Sequence, residues 1–242
     1  MRSGTCFASD HHSASVPWPA SPSAAPGEEI SMKTRADLLL RDALAGQLVA
    51  ATNGDVVARE RLESLWTWSQ GSALDLPTQR CLGELRTESD EAIFDAQLAL
   101  TPRFAPLEPY VRDRALRFRT ALGWLGEPRP DRYLEAARAA WDAGLFFEVH
   151  ELLEPHWLRA TGPERPALQG LIMAGAALHH LTTANLAGAR GLLGDAARHI
   201  AQCPRVGERD LASFGAELAK LGEQIASGAV RRPEDVKDLP HF

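Results

Sequence analysis

The sequence predicts an all-α protein, a helical bundle in which a C-terminal bundle is preceded by further helices. Apolar residues recur at helical spacing through most of the chain after Lys33. Gly, Pro and Asn fall between these stretches, where helices stop. No stretch shows period-2 alternation enriched in β-branched residues.

Residues 1–31 are rich in Ser, Ala and Pro and show no periodicity, so a disordered extension is expected there. An over-extended start, with Met32 as initiator, is the other reading of this stretch. It lacks the continuous apolar region of a secretory signal. From Lys33, Leu40, Ala43, Leu44, Leu48 and Ala51 share one helical face, and Asn53-Gly54 supplies a stop. A second helix is expected over Val56 to Ser69, with Leu62, Leu65 and Trp66 together. A third is expected around Glu91 to Leu100, because Ser89 and Asp90 are good N-cap types. A fourth, Glu108 to Leu125, aligns Val111, Ala115, Phe118, Leu122 and Leu125. Its arginines, Arg112, Arg114, Arg117 and Arg119, lie on the flanks and back of that stripe and are expected on a solvated face, with an anion-binding patch as the other reading.

The run Gly126-Glu-Pro-Arg-Pro130 interrupts the helical pattern, since proline lacks the amide donor and clashes with the preceding turn. It divides an N-terminal helical region, 32–126, from a C-terminal bundle, 131–230, with 231–242 as a tail; a loop inside one continuous bundle fits the same run. Beyond it, helices are expected at Arg132 to Ala143, Phe146 to Ala160, Arg165 to Thr183, Leu186 to Gln202 and Arg209 to Ser227. Leu186, Ala189, Leu192, Leu193, Ala196 and Ile200 form a regular stripe, and so do Leu211, Phe214, Leu218, Leu221 and Ile225.

The net charge of −6 offers no bulk attraction for phosphate backbones or anionic lipid, so neither nucleic acid nor membrane is expected as a partner. A protein partner or a second copy remains open. No apolar run approaches the roughly 20 residues needed to span a bilayer. The three cysteines, Cys6, Cys81 and Cys203, form no paired motif, and the cytoplasm is the expected compartment. No phosphate loop, dinucleotide turn or nucleophile elbow occurs.

Chemistry concentrates in Phe146-Phe-Glu-Val-His-Glu-Leu-Leu-Glu-Pro-His-Trp157. At about 100° per residue, Phe146, His150, Leu153, Glu154 and Trp157 share a face, which their aromatic members are expected to bury. Glu148 and Leu152 then point away. Two ionisable groups in an apolar stripe are costly unless paired or bound. In the next helix Gln169 and His180 lie about three turns apart on one flank. Two ligand types at i and i+4 can reach one ion, as in HExxH zinc helices. His150-Glu151-Leu-Leu-Glu154 reads HExxE, with Glu151 at the place of the catalytic base and His180 or His179 as a third metal ligand. Mixed imidazole and carboxylate donors suit zinc, manganese or iron. The alternative is a plain polar network of His150, Glu154, Trp157 and Gln169 or His180 that fixes helix register.

The stretch from about Tyr133 to Ile200 resembles domain-of-unknown-function family 309. The resemblance rests on an HxxxExxW motif (His150, Glu154, Trp157) and on the phrases AGLFFEVHELLE, ERPALQGLIMAGAALHHL and NLAGARGLL. It implies a compact helical bundle with a suggested metal-binding motif and no assigned reaction. Carried over, His150 and Glu154 match the motif, and Gln169 and His180 match polar positions of the next helix. Met173 and His179 stand where Gln and an aromatic residue are expected. The leading expectation is a helical binding or interaction module with a buried His–Glu site. A metal-dependent, hydrolytic enzyme and a structural scaffold, with a partner docked near Arg112 to Arg119, are the alternatives.

Overall fold

The computed structural model describes residues 35–127 and 129–242. The extension expected over residues 1–31, with Cys6, His11 and His12, lies outside them. The protein is an all-α helical bundle. Among the described residues the helices are α1 (Arg35–Thr52), α2 (Val56–Ser69), α3 (Leu76–Gly83), α4 (Glu108–Leu125), α5 (Tyr133–Asp142), α6 (Phe146–Arg159), α7 (Glu164–Thr182), α8 (Leu186–Gln202) and α9 (Ala212–Ala226). A two-residue antiparallel hairpin, β1 (Arg205–Val206) and β2 (Arg209–Asp210), precedes α9. No described helix is long and apolar enough to cross a membrane.

Local chemistry explains most boundaries. Gly54 follows α1 at φ 97°, a left-handed conformation that suits a residue without Cβ. The Asp55 carboxylate accepts from the Ala58 amide at 3.0 Å and caps α2. Asp75 does the same for α3 through Thr78, at 2.9 Å.

The helix expected at Glu91 to Leu100 does not form. Asp90 adopts φ 60°, and the Thr87 hydroxyl accepts from the Glu91 amide at 3.1 Å, so the N-cap residue types build a turn instead. The Asp95 carboxylate then accepts from the amides of Gln97 and Ala99, at 2.9 and 3.0 Å, and Leu98 is also left-handed. Isolated bridges join Arg86 to Ala92 and Phe94 to Leu100. Ile93, Phe94 and Leu100 are nonetheless buried, so the segment is a packed loop.

The arginines of α4 also depart from expectation. Arg119 is exposed, but Arg114 and Arg117 are mostly buried. Arg117 pairs with Asp113 at 2.7 Å and donates to the Ala143 carbonyl at 3.0 Å, satisfying an acceptor just past the end of α5. Arg112 lies over the Trp68 ring and donates to the Ser69 carbonyl. These side chains join helices, which weakens the idea that a partner docks on them.

Leu40, Leu65 and Phe118 belong to the same core as Trp141, Leu153 and Leu171. The core thus spans both sides of the α4–α5 link. Helix α7 is central, packed on α6 and α8, and α9 packs on α8. Gly175 permits the α6–α7 approach, since a Cβ there would lie 2.9 Å from the Phe146 carbonyl oxygen. The tail, residues 231–242, folds back onto this core: Val236, Leu239 and Phe242 are buried.

Candidate functional site

Helix α6 carries the chemistry, but its inward face is not the expected one. Phe146 and Leu153 are buried, and Glu148, Val149 and Leu152 complete the inward stripe. His150, Glu154 and Trp157 fall at its edge, half-buried. The buried stripe is rotated by roughly a quarter turn from the one the aromatic residues suggested. Glu148 and Leu152, expected to point outward, are therefore core residues.

Glu148 is tolerated inside because α4 brings Arg114 to it. The Arg114 Nη1 atom lies 3.3 and 3.4 Å from the two carboxylate oxygens. Glu148 is 0% exposed and the Arg114 side chain 13%. Burial opposes the guanidinium charge, and the Glu148 carboxylate, with Tyr110 and Asp113, outweighs it and raises the Arg114 pKa further. Tyr110 lies beneath the guanidinium, 5.0 Å from ring centre to Cζ, and burial pushes its phenol up. Sequence pattern alone could not find this pair, because its members are far apart along the chain.

The edge of α6 forms a more accessible group. His150 Nδ1 lies 3.0 Å from Glu151 Oε1. His150, Glu151 and Glu154 each offer a ligand atom within 4.8 Å of the others. The hydrogen bond to Glu151 raises the His150 pKa against the cost of burial, and the charges of Glu151 and Glu154 add to it. One imidazole and two carboxylates are donor types that divalent cations take.

The Phe147 ring sits beside this group. The Arg41 guanidinium of α1 lies 3.7 Å from the centre of that ring. The His150 and His179 rings lie 6.4 and 5.7 Å from it. Burial drives the His179 pKa down to about 4, with Arg41, Arg114 and His180 reinforcing the shift. Folded His179 thus binds a proton less readily than its unfolded form, whose pKa is about 6.5. Stability should fall as pH drops from about 6.5 to 4, by on the order of 3 kcal/mol in total, then level off for this group. Urea unfolding at stepped pH should show this acid limb in the wild type and its loss in His179→Gln; parallel curves would refute it.

The other expected site residues lie apart from the converging group. His180 was expected as a ligand, but its Nδ1 lies 3.1 Å from the Asn185 side-chain nitrogen at the α7–α8 turn. One step along α7 turns the side chain by about 100°, so His179 takes the place beside Phe147. Gln169 is half-buried on α7 and is not one of the three converging residues. The Trp157 ring lies under the Arg165 guanidinium at 4.5 Å, and its buried Nε1 has no partner among the described residues. Hydrogen bonding of His150 to Glu154, the core of the polar-network alternative, gives way to the contact with Glu151.

Residues 134–192 match the family described as Domain of unknown function (DUF309). The DUF309 match runs from α5 into α8 and contains His150, Glu151, Glu154 and Trp157. Arg41 and Arg114 lie outside it. Over 114 residues the chain is 33% identical to an uncharacterized protein of Aquifex aeolicus (strain VF5), covering 47% of this chain and 34% of that protein. The aligned region thus spans about a third of that relative's length. No solved structure matches.

Proposed function

We propose that this protein is a helical binding module that takes a divalent cation at His150, Glu151 and Glu154. The observation that carries this reading is the convergence of one imidazole and two carboxylates within 4.8 Å on the accessible edge of α6. Glu151 then serves as a ligand, which removes it from the role of base that a hydrolytic reading needs. The cation supplies a positive centre able to bind and polarise an oxygen of a partner molecule. The chain itself holds the three donors on one rigid helix and stacks Phe147 beside them. Zinc, manganese and iron all suit this donor mixture.

Protein stripped of metal and free of any histidine tag should gain stability when manganese or zinc is added. The gain follows RT ln(1 + [L]/Kd), about 2.7 kcal/mol at a hundredfold excess over Kd. His150→Ala and Glu154→Ala should each abolish it. Binding needs the neutral imidazole, and the folded pKa of His150 is raised, so affinity should climb as pH rises through that pKa. Thermal unfolding with EDTA, manganese and zinc at several pH values measures all three effects. A wild type indifferent to both metals would overturn the proposal and favour His150–Glu151 as a plain surface pair.

A further inference from the structure

We infer that the cation of the His150–Glu151–Glu154 site is bound together with a small oxyanion, a carboxylate or phosphate group, received by Arg41 and His179. This deepens the proposed function and rests on it for the cation alone. Arg41 commits its Nε and Nη2 atoms to Asp42, at 2.9 and 2.8 Å. Its Nη1 atom is left without a hydrogen-bond partner among the described residues. The His179 ring likewise has no hydrogen bond there, although the side chain is mostly enclosed. Both groups pack against Phe147, and the same ring adjoins His150. Donors with no partner among the described residues, reached by solvent, therefore share the Phe147 ring with His150 of the converging group.

The charge pattern divides this surface into two halves. Glu151 and Glu154 make one side negative. The other side carries the Arg41 guanidinium, whose charge Asp42 shares, and the Arg114–Glu148 pair lies deeper with its charges balanced. A bare cation satisfies only the first half. A cation carrying an oxyanion satisfies both, because the anion fills open coordination positions and presents its remaining oxygens to the guanidinium. The enclosed, neutral imidazole of His179 supplies an N–H donor without adding charge. Phe147 lies against the guanidinium, 3.7 Å from ring centre to Cζ, and shields that side from water.

Calorimetric titration with inorganic phosphate and, separately, malonate tests this on the full chain, both metal-free and loaded with manganese. Phosphate should bind the metal-free wild type weakly and the loaded protein at least tenfold more tightly. Bound phosphate should tighten manganese by the same factor, since the coupling is reciprocal. Arg41→Gln should weaken phosphate at least tenfold in the manganese-loaded protein; Arg41→Lys should retain part of the binding. Malonate in place of phosphate as the tighter ligand identifies a carboxylate as the natural group, and the reverse identifies a phosphate. Equal phosphate affinity in wild type and Arg41→Gln, with both folded by circular dichroism, overturns the inference even if manganese binds. Arg41-dependent phosphate binding in a protein that ignores manganese overturns the cation reading and leaves the anion site standing.

Discussion

Glu148→Ala is expected to destabilise the protein by about 3–5 kcal/mol, because it strands the Arg114 charge in the core. The carboxylate is fully buried and is the group that keeps the guanidinium paired. Arg114→Met should cost a comparable amount by orphaning the carboxylate. The pair as a whole is different, since desolvation of two charges offsets most of their attraction. Arg114→Met combined with Glu148→Leu should therefore recover much of either single loss. Urea unfolding of wild type, both single variants and the double variant completes a double-mutant cycle. Additive losses, with the double variant worst of all, would show that the two side chains act independently and that the pairing stabilises nothing.

Trp141→Ala is expected to cost about 3–5 kcal/mol and to loosen the C-terminal segment at the same time. The side chain is fully buried, with Phe146, Phe214 and Phe242 edge-on at 5.3, 5.3 and 5.6 Å. Its indole N–H donates to the Pro240 carbonyl at 2.7 Å, and the next residue, Asp142, meets His241 at 3.0 Å. One substitution thus removes a core aromatic and the anchor of the last residues. Trp141→Phe keeps an aromatic ring but leaves that carbonyl unpaired, so a smaller loss of about 1–3 kcal/mol is expected. Hydrogen exchange should show faster exchange at residues 236–242 in Trp141→Ala than in wild type. A loss below about 1 kcal/mol, or unchanged exchange in the tail, would contradict the packing described.

The limits of sequence reading are clearest on α6 and at residues 91–100. Periodicity placed α2, α4 and α8 to the residue, because each buries a single stripe. On α6 it favoured the face holding Phe146, His150 and Trp157, on the premise that aromatics mark the core. That premise failed because Phe147 and Trp157 are half-buried rim residues covered by Arg41 and Arg165. Around Asp90 and Asp95, residue types that cap helices also form turns, and the choice fell to burial of Ile93 and of Phe94, which meets Trp68 of α2 edge-on at 5.1 Å.

By itself the sequence determined the helical class, the long helices and the segment carrying the ionisable side chains, since all three depend on local spacing and backbone chemistry. Only the tertiary structure decided which carboxylate is buried. Glu148 goes inward and Glu151 and Glu154 stay at the rim, because Arg114 arrives from another helix to neutralise the first and leaves the others to solvent.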